Sequence, residues 1–429
     1  MKQLFRFSVM LLALLLPAIA TAADFVVDGI CYNIKGNEAA VASRRVPGFL
    51  FIGYSGDVVI PATVTYDGTT YPVTSIEAIA FYGSTELTSI VVPNSVTEIG
   101  QEAFGNCPGL TSIVVESGNP RFDSRNNCNA IIETNDNELI AGCKNTIIPN
   151  SVTKIGNFAF DACDSLTSIV IPNSITSIGH YAFYSCDSLT SIDIPNSVIE
   201  IGYGVFEGCL GLTSIVVESG NPRYDSRNNC NAIIETAYNT LIYGCKNTTI
   251  PNSVTTIDDY AFYFCDGLTS IVIPNSVTEI GFAAFESCHG LTSVVIPNSV
   301  TSIGDGAFCN CWQLTDVYCY IADLSKVSSG NRTFYSNSHV CTLHVLQGTA
   351  DAYRADENWY PYFEQIVEDI FLGDVNRDLE VNIADVNAVI NMVLCGNGST
   401  PAADVNGDGE INIADVNALI NIVLSNNGN

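Results

Sequence analysis

Leu166-Thr167-Ser168-Ile169-Val170-Ile171-Pro172-Asn173-Ser174 decides the fold, because near-copies of it recur at a fixed step. The prolines mark the step: Pro149, Pro172 and Pro195 stand 23 residues apart, and so do Pro251, Pro274 and Pro297. In an extended strand neighbouring side chains face opposite ways. Leu166, Ile169 and Ile171 are therefore expected inside, with Thr167, Ser168 and Val170 outside. Asn173-Ser174 makes the turn. Ile175, Ile178, Ala182 and Phe183 are the inward residues of the return segment, and Cys186 closes the unit. A period of this size means a solenoid, whose units bury their apolar edges only against one another. The same phenylalanine recurs at Phe81, Phe104, Phe160, Phe183, Phe206, Phe262, Phe285 and Phe308, which reads as an aromatic ladder in the core.

Two islands of 33 residues, 116–148 and 218–250, break the register. They lie 102 residues apart and agree at 27 of 33 positions. In the first, Cys128 and Cys143 stand symmetrically about Asn135-Asp136, with apolar runs on either side, which reads as a two-residue hairpin. In the second, Cys230 and Cys245 stand likewise about Ala237-Tyr238. Facing positions in a hairpin lie within disulfide range, so each pair is a disulfide candidate. Metal binding is the rival, but no histidine accompanies the pairs and the spacing is not CxxC. The seven ladder cysteines (Cys107, Cys163, Cys186, Cys209, Cys265, Cys288, Cys311) read as buried free thiols.

The strand face should show columns of Thr and Ser, such as Thr167, Thr190 and Thr213, which lack the Trp, Tyr and Arg that dominate interfaces. Variety lies beside the Phe ladder, at Tyr82, Gln101, Phe158, His180, Tyr181, Tyr203, Tyr260, Tyr263 and Phe282. That turn edge is the expected recognition surface.

Residues 1–22 read as a secretory signal: Lys2 and Arg6 open it, Val9–Leu16 is the apolar run, and Ala20-Thr21-Ala22 the cleavage site. The run is too short for a membrane span. The formal net charge is −29, becoming about −31 without Lys2 and Arg6, which speaks against nucleic acid and anionic membranes as partners and for cations. Residues 23–58 are expected to form a β cap, 59–319 the array, and 320–370 a second cap with a helix at Thr349–Ala355 and Trp359, Tyr362 and Phe363 closing the core. No catalytic constellation emerges. The four histidines, His180, His289, His339 and His344, make no HExxH, and Gly53-Tyr54-Ser55-Gly56 fails as a nucleophile elbow at Asp57. The carboxylates form no glycosidase pair.

The recurring IPNSVTxIGxxAFxxCxxLTSIxI, as in Ile171 to Ile194, resembles the BspA-like leucine-rich repeats of bacterial cell-surface proteins. The resemblance implies a mainly β leucine-rich-repeat solenoid of parallel strands, located outside the cell or on its surface. It also implies adhesion to an extracellular protein or cell-surface ligand.

From residue 371 to 429 the pattern changes. Asp374, Asn376, Asp378, Glu380, Asn382 and Asp385 are echoed thirty residues later by Asp404, Asn406, Asp408, Glu410, Asn412 and Asp415. Oxygen donors at loop positions 1, 3, 5, 9 and 12, with the carbonyl of position 7, are what a hard cation such as Ca²⁺ requires, so two calcium sites are expected. Each loop runs into a short amphipathic helix, with Val386, Val389, Ile390 and Val393 in one and Val416, Leu419, Ile420 and Val423 in the other. Leu379 replaces the glycine of position 6 in the first loop, which predicts a weaker first site. The duplication resembles a type I dockerin, a small all-α calcium-binding module. The resemblance implies attachment to a cohesin-like scaffold, with Ile383, Ala384, Ile413 and Ala414 at the partner-recognition positions. Two functions follow: an exported, non-catalytic adhesion or protein-interaction solenoid held in an assembly, or a dockerin-borne component of a polysaccharide-degrading complex that binds glycan or partner enzymes.

Overall fold

The computed structural model describes residues 23–46, 49–51, 53–337, 340–360, 362–375, 381–395, 400–408 and 410–426. The secretory segment 1–22, Ile52 at the end of the expected cap strand, and His339 lie outside these residues. The chain divides into two compact units between Thr146 and Ile147.

In the first unit Phe25–Val27, Ile30–Lys35 and Glu38–Val41 form an antiparallel meander. Glu38–Val41 then pairs in parallel with Thr69–Ile76, and that strand with Glu98–Ile99. The cap thus merges directly into the return side of the array. Ser55–Val59, Glu86–Val92 and Ser112–Val115 make the second sheet, with Ile90 beside Ile113. Tyr54 pins the two together: its ring lies 4.6 Å from Phe81, while its hydroxyl donates to the Ala42 carbonyl (2.7 Å) and accepts from the Cys31 N–H.

The second unit is built on the same step. Ser191–Ile194 pairs in parallel with Ser214–Val217, and Ser270–Val272 with Ser293–Ile296, each register offset by one repeat. On the return side Lys154–Ile155, Ser177–Ile178 and Glu200–Ile201 pair in the same way, as do Thr256–Ile257, Glu279–Ile280 and Ser302–Ile303. The phenylalanines stack almost parallel: Phe160–Phe183 at 5.1 Å, Phe262–Phe285 at 4.8 Å and Phe285–Phe308 at 5.0 Å. The glycine of the IG dipeptide lets rungs approach this closely. A Cβ on Gly202 would come within 2.5 Å of the His180 backbone nitrogen.

The Thr columns prove to be rung-to-rung fasteners. Thr213 Oγ1 donates to the Thr190 carbonyl at 2.9 Å, Thr292 to Thr269 at 3.0 Å and Thr315 to Thr292 at 3.1 Å. The ladder cysteines do the same inside. Cys186, Cys209, Cys288 and Cys311 donate S–H to the carbonyls of Phe160, Phe183, Phe262 and Phe285, each at 3.0–3.2 Å. This gives the thiol a reason that a methyl group lacks.

Two features depart from the sequence reading. Leu166–Ile171 carries no strand ladder, and in the second unit Ser270–Val272 begins a fresh sheet after the island. The cause is where the second island's hairpin sits. Thr240–Gly244 pairs with Thr256–Ile257 on the return side and leaves the LTSI side without a strand to continue. Second, the stack passes beyond Cys319. Thr342–Leu346 pairs with Asp316–Cys319, and Gln365–Ile370 pairs with Thr342–Leu346. Phe334 extends the aromatic ladder from Phe308 at 5.4 Å. The helix Ala350–Ala355 with buried Trp359 and Phe363 then closes the end.

Candidate calcium loops and interaction surfaces

The C-terminal module consists of helices Ile383–Cys395 and Ile413–Asn426, each entered from an acidic loop. Val386, Val389, Val416, Leu419 and Val423 pack with Ala403 and Val405 into a core of their own. Asp385 and Asp415, at loop position 12, are completely buried. A buried carboxylate is costly unless satisfied, and backbone N–H groups satisfy these. Asp385 accepts from Val375 (2.7 Å) and Asn382 (3.0 Å), Asp415 from Asn406 (3.2 Å) and Asn412 (2.9 Å). The Asn382 and Asn412 side chains accept from the Ala384 and Ala414 N–H groups, both at 2.7 Å, and so cap the helices.

Asp404, Asp408 and Asp415 bring carboxylate oxygens within 4.8 Å of one another. Three carboxylates converging around two buried members suit an oxygen-coordinated cation, whose charge removes their mutual repulsion. Glu410 is exposed and its N–H donates to Asp408 (2.9 Å), consistent with a position that offers its carbonyl. In the first loop Asn376, Asp378, Leu379 and Glu380 lie outside the described residues. Asp374 and Asp385 are buried there as Asp404 and Asp415 are in the second. Ile383, Ala384, Ile413 and Ala414 are all exposed, the two isoleucines 63% each.

Cys128, Cys143, Cys230 and Cys245 carry free thiols. In each island hairpin a bulge shifts the register: Ile132 faces Leu139 but Ile131 faces Ala141, and Ile234 faces Leu241 but Ile233 faces Tyr243. The symmetric register therefore stops before the cysteines. Cys143 and Cys245 donate to the carbonyls of Asn129 and Asn231, one residue beyond Cys128 and Cys230. All four are buried, and desolvation raises the pKa of each.

The turn edge carries a belt of half-exposed rings: Phe158–Tyr181 at 5.1 Å, Tyr181–Tyr203 at 5.4 Å, Tyr203–Tyr260 at 5.0 Å and Tyr260–Phe282 at 5.1 Å. Phe158, Tyr181 and Tyr260 hold φ of +57°, +55° and +59°. That conformation costs a side-chain-bearing residue about 1–2 kcal/mol over glycine. In the rung of Tyr203 the left-handed position is Gly204, where a Cβ would strike the Tyr181 ring at 2.3 Å. Behind the belt Gly204, Phe206, Glu207, Tyr243, Tyr260 and Tyr263 line a shallow notch. Burial, then the Glu286 charge, pushes the Glu207 carboxyl up to about 8. Sequence reading found the belt but not Tyr243, whose hydroxyl bonds the Gly202 carbonyl at 2.7 Å across the stack.

Among the described residues, His180, His289 and His344 serve structure. His180 Nδ1 accepts from the Tyr203 N–H (2.8 Å), His289 pairs with Asp266 under Trp312, and His344 bridges Asp316 (3.0 Å) and Asp369 (2.8 Å) against Tyr318. The His344 bridge was hidden in the sequence because its partners sit on neighbouring rungs.

A stacked, thiol- and threonine-fastened solenoid with an acidic two-helix module defines the class: a repeat protein with an appended docking domain. The BspA type leucine rich repeat region matches in six copies over residues 68–134, 136–238 and 231–349, and the dockerin type I domain over residues 372–424. The chain belongs to the BspA-type leucine-rich-repeat family and carries a C-terminal type I dockerin. Dockerins of this type are generally calcium-binding and imply a cohesin-type partner, and the two domains together typify bacterial extracellular or cell-surface proteins. No curated protein matches the sequence. Among solved structures it is similar to a leucine rich cell surface protein from Faecalibacterium prausnitzii A2-165 (25% identity, 77% of this chain and 96% of that one, TM-score 0.46). It is also similar to the pneumococcal vaccine antigen PcpA (16%, 82% and 100%, TM-score 0.44). A leucine-rich repeat protein from Bacteroides ovatus ATCC 8483 is a third (24%, 80% and 100%, TM-score 0.30). Among the described residues no helix is long and apolar enough to cross a membrane.

Proposed function

We propose that this is an exported, non-catalytic adhesion or protein-interaction protein. Its solenoid grips an extracellular protein or cell-surface ligand through the aromatic turn edge, and its dockerin, with two calcium sites, holds it in an assembly. The observation that carries the reading is the belt from Phe158 to Phe282. Large rings occupy strained left-handed positions there although the fold itself accepts Gly204 at the same place. The strand face, by contrast, spends its Thr hydroxyls on holding rungs together.

The second reading, a dockerin-borne component of a polysaccharide-degrading complex that binds glycan, has the exposed aromatics in its favour. Sugar stacking needs flat platforms, however. Successive belt rings stand at 79°, 89° and 62° to one another between Tyr181 and Phe282. Such edge-on rings suit protein anchors better.

The test is binding of the purified full chain to panels of extracellular-matrix proteins, cell surfaces and glycans. It compares wild type, a Tyr181→Gly/Tyr260→Gly variant and a strand-face Thr190→Ser variant. Loss of protein or cell binding in the belt variant alone supports the proposal. Equal binding by the belt variant, or glycan hydrolysis abolished by one carboxylate change, overturns it.

A further inference from the structure

Seven Pro-Asn turns punctuate the repeats, and six of their asparagines (Asn94, Asn150, Asn173, Asn196, Asn252 and Asn298) are exposed. Asn275 alone is buried, at 9% exposure. What covers it is the dockerin. Asn275 Nδ2 donates to Asp404 Oδ2 at 3.0 Å, across 129 residues of sequence. Asp404 stands at position 1 of the second calcium loop, and its other oxygen accepts the Asp408 N–H at 3.1 Å. The Asn275 Oδ1 is buried with no hydrogen-bond partner among the described residues.

The footprint is wider than one bond. Gly407, at loop position 4, faces the next Pro-Asn turn: a Cβ there would lie 3.5 Å from Asn298 Nδ2. Val295 is 5% exposed, whereas Val114, Val170, Val216 and Val272 in the same column are 41%, 83%, 42% and 47% exposed. It packs with Tyr320, Ile370 and Ala402. The Gly373 N–H donates to the Ala402 carbonyl at 3.1 Å and ties the entry of the first loop to the same contact.

We propose that Asn275 is a positioning residue of the second calcium site, so that cation binding by Asp404, Asp408 and Asp415 is coupled to seating the dockerin on the solenoid. A buried amide oxygen without a partner is costly in an apolar contact and is the kind of donor a hard cation takes. The amide also holds Asp404 where its carboxylate meets those of Asp408 and Asp415. Ile413 and Ala414 stay exposed in the seated module, so seating leaves the partner-recognition pair accessible. The inference rests on calcium binding at the second loop, which titration of the parent protein tests by itself.

The experiment uses the full chain with the first loop weakened by Asp374→Ala, titrated with calcium by calorimetry. Hydrogen exchange of residues 400–426 is followed with calcium and with chelator. Loss of the amide contact to a charged group should lower second-site affinity about tenfold in Asn275→Leu. The exposed counterpart Asn252→Leu should bind as the parent does. Asn275→Asp supplies an oxygen for the cation in place of the amide, so it should keep the affinity within about twofold and keep residues 400–426 protected in calcium. No calcium binding by the parent would sink the calcium reading itself. Parent-like affinity in Asn275→Leu, or equal losses in Asn275→Leu and Asn252→Leu, would overturn the coupling and leave that reading standing.

Discussion

Replacing Phe285 by alanine tests whether the second unit is a stack of separately stabilised rungs. Phe285 is completely buried, with Phe262 4.8 Å away on one side and Phe308 5.0 Å on the other, the rings within 9° of parallel. Truncating a buried phenylalanine costs about 3–5 kcal/mol. Each lost ring pair adds part of a further 0.5–1.5 kcal/mol, so the total is about 4–6 kcal/mol. In a globular domain that loss would be shared by every residue. In a solenoid it falls on the two interfaces that Phe285 makes, because each rung touches only its neighbours. Native-state hydrogen exchange should therefore show amides in residues 256–266, 279–288 and 302–311 losing protection, while residues 152–186 exchange as in the parent. A uniform loss of protection across residues 152–370, or none anywhere, would refute the reasoning.

Three further outcomes are expected. Chelation should unfold the module of residues 372–426 and leave the solenoid intact, and Asp404→Ala with Asp415→Ala should reduce calcium stoichiometry from two to one; unchanged stoichiometry in calorimetry would refute the loop assignment. Glu207, facing Glu286, Tyr181, Tyr184, Tyr203, Tyr243, Tyr260 and Tyr263, has its carboxyl raised from an ordinary value of 4.5 to about 8. The folded form then holds the proton more tightly, so this group's stabilisation is full below pH 4.5 and fades as the pH rises through 8; Glu207→Gln should flatten the thermal stability profile across that window. Cys186 and Cys288 are fully buried, with their thiols raised well above the ordinary value, while Cys395 is exposed. Iodoacetamide should alkylate Cys395 and spare the ladder, and ladder labelling in native protein would mean that the rungs open.

The repeat was legible because its physics is local. The 23-residue step, the inward LxxIxI and the Phe and Cys ladders each follow from one rung, and every rung repeats the same evidence. The meeting of Asp404, Asp408 and Asp415 was legible for the same reason: spacing within twelve residues sets it. What stayed hidden depends on which rungs become neighbours. The bulges at Ile131 and Ile233 move the hairpin register away from the cysteines, and symmetry about the turn gives no sign of them. Phe334 continues the ladder although its rung is longer: Asp316 pairs with Thr342, 26 residues on, so a strict 23-residue step missed it. Asn275 has the same sequence context as its exposed counterparts, and only the seating of residues 400–426 distinguishes it.

The two islands show how near-identical sequence comes to do different work. They differ at six positions, and Ala141 in the first becomes Tyr243 in the second. The second hairpin brings no ladder phenylalanine of its own, so a gap would open between Phe206 and Phe262. Tyr243 fills it, edge-on to Phe206 at 5.8 Å, with its hydroxyl fixed on the Gly202 carbonyl. Gly244 must then be glycine in this setting, because a Cβ would meet the Phe262 ring at 2.1 Å. The filled gap keeps the Tyr203 and Tyr260 rings 5.0 Å apart although 56 residues of chain intervene, and so carries the belt across the island. Tyr243→Ala, the residue of the first island, should therefore separate Tyr203 from Tyr260 and weaken ligand binding while the rungs on either side stay folded. Parent-like binding in that variant, with the hairpin still protected from exchange, would show that the belt need not be continuous to bind.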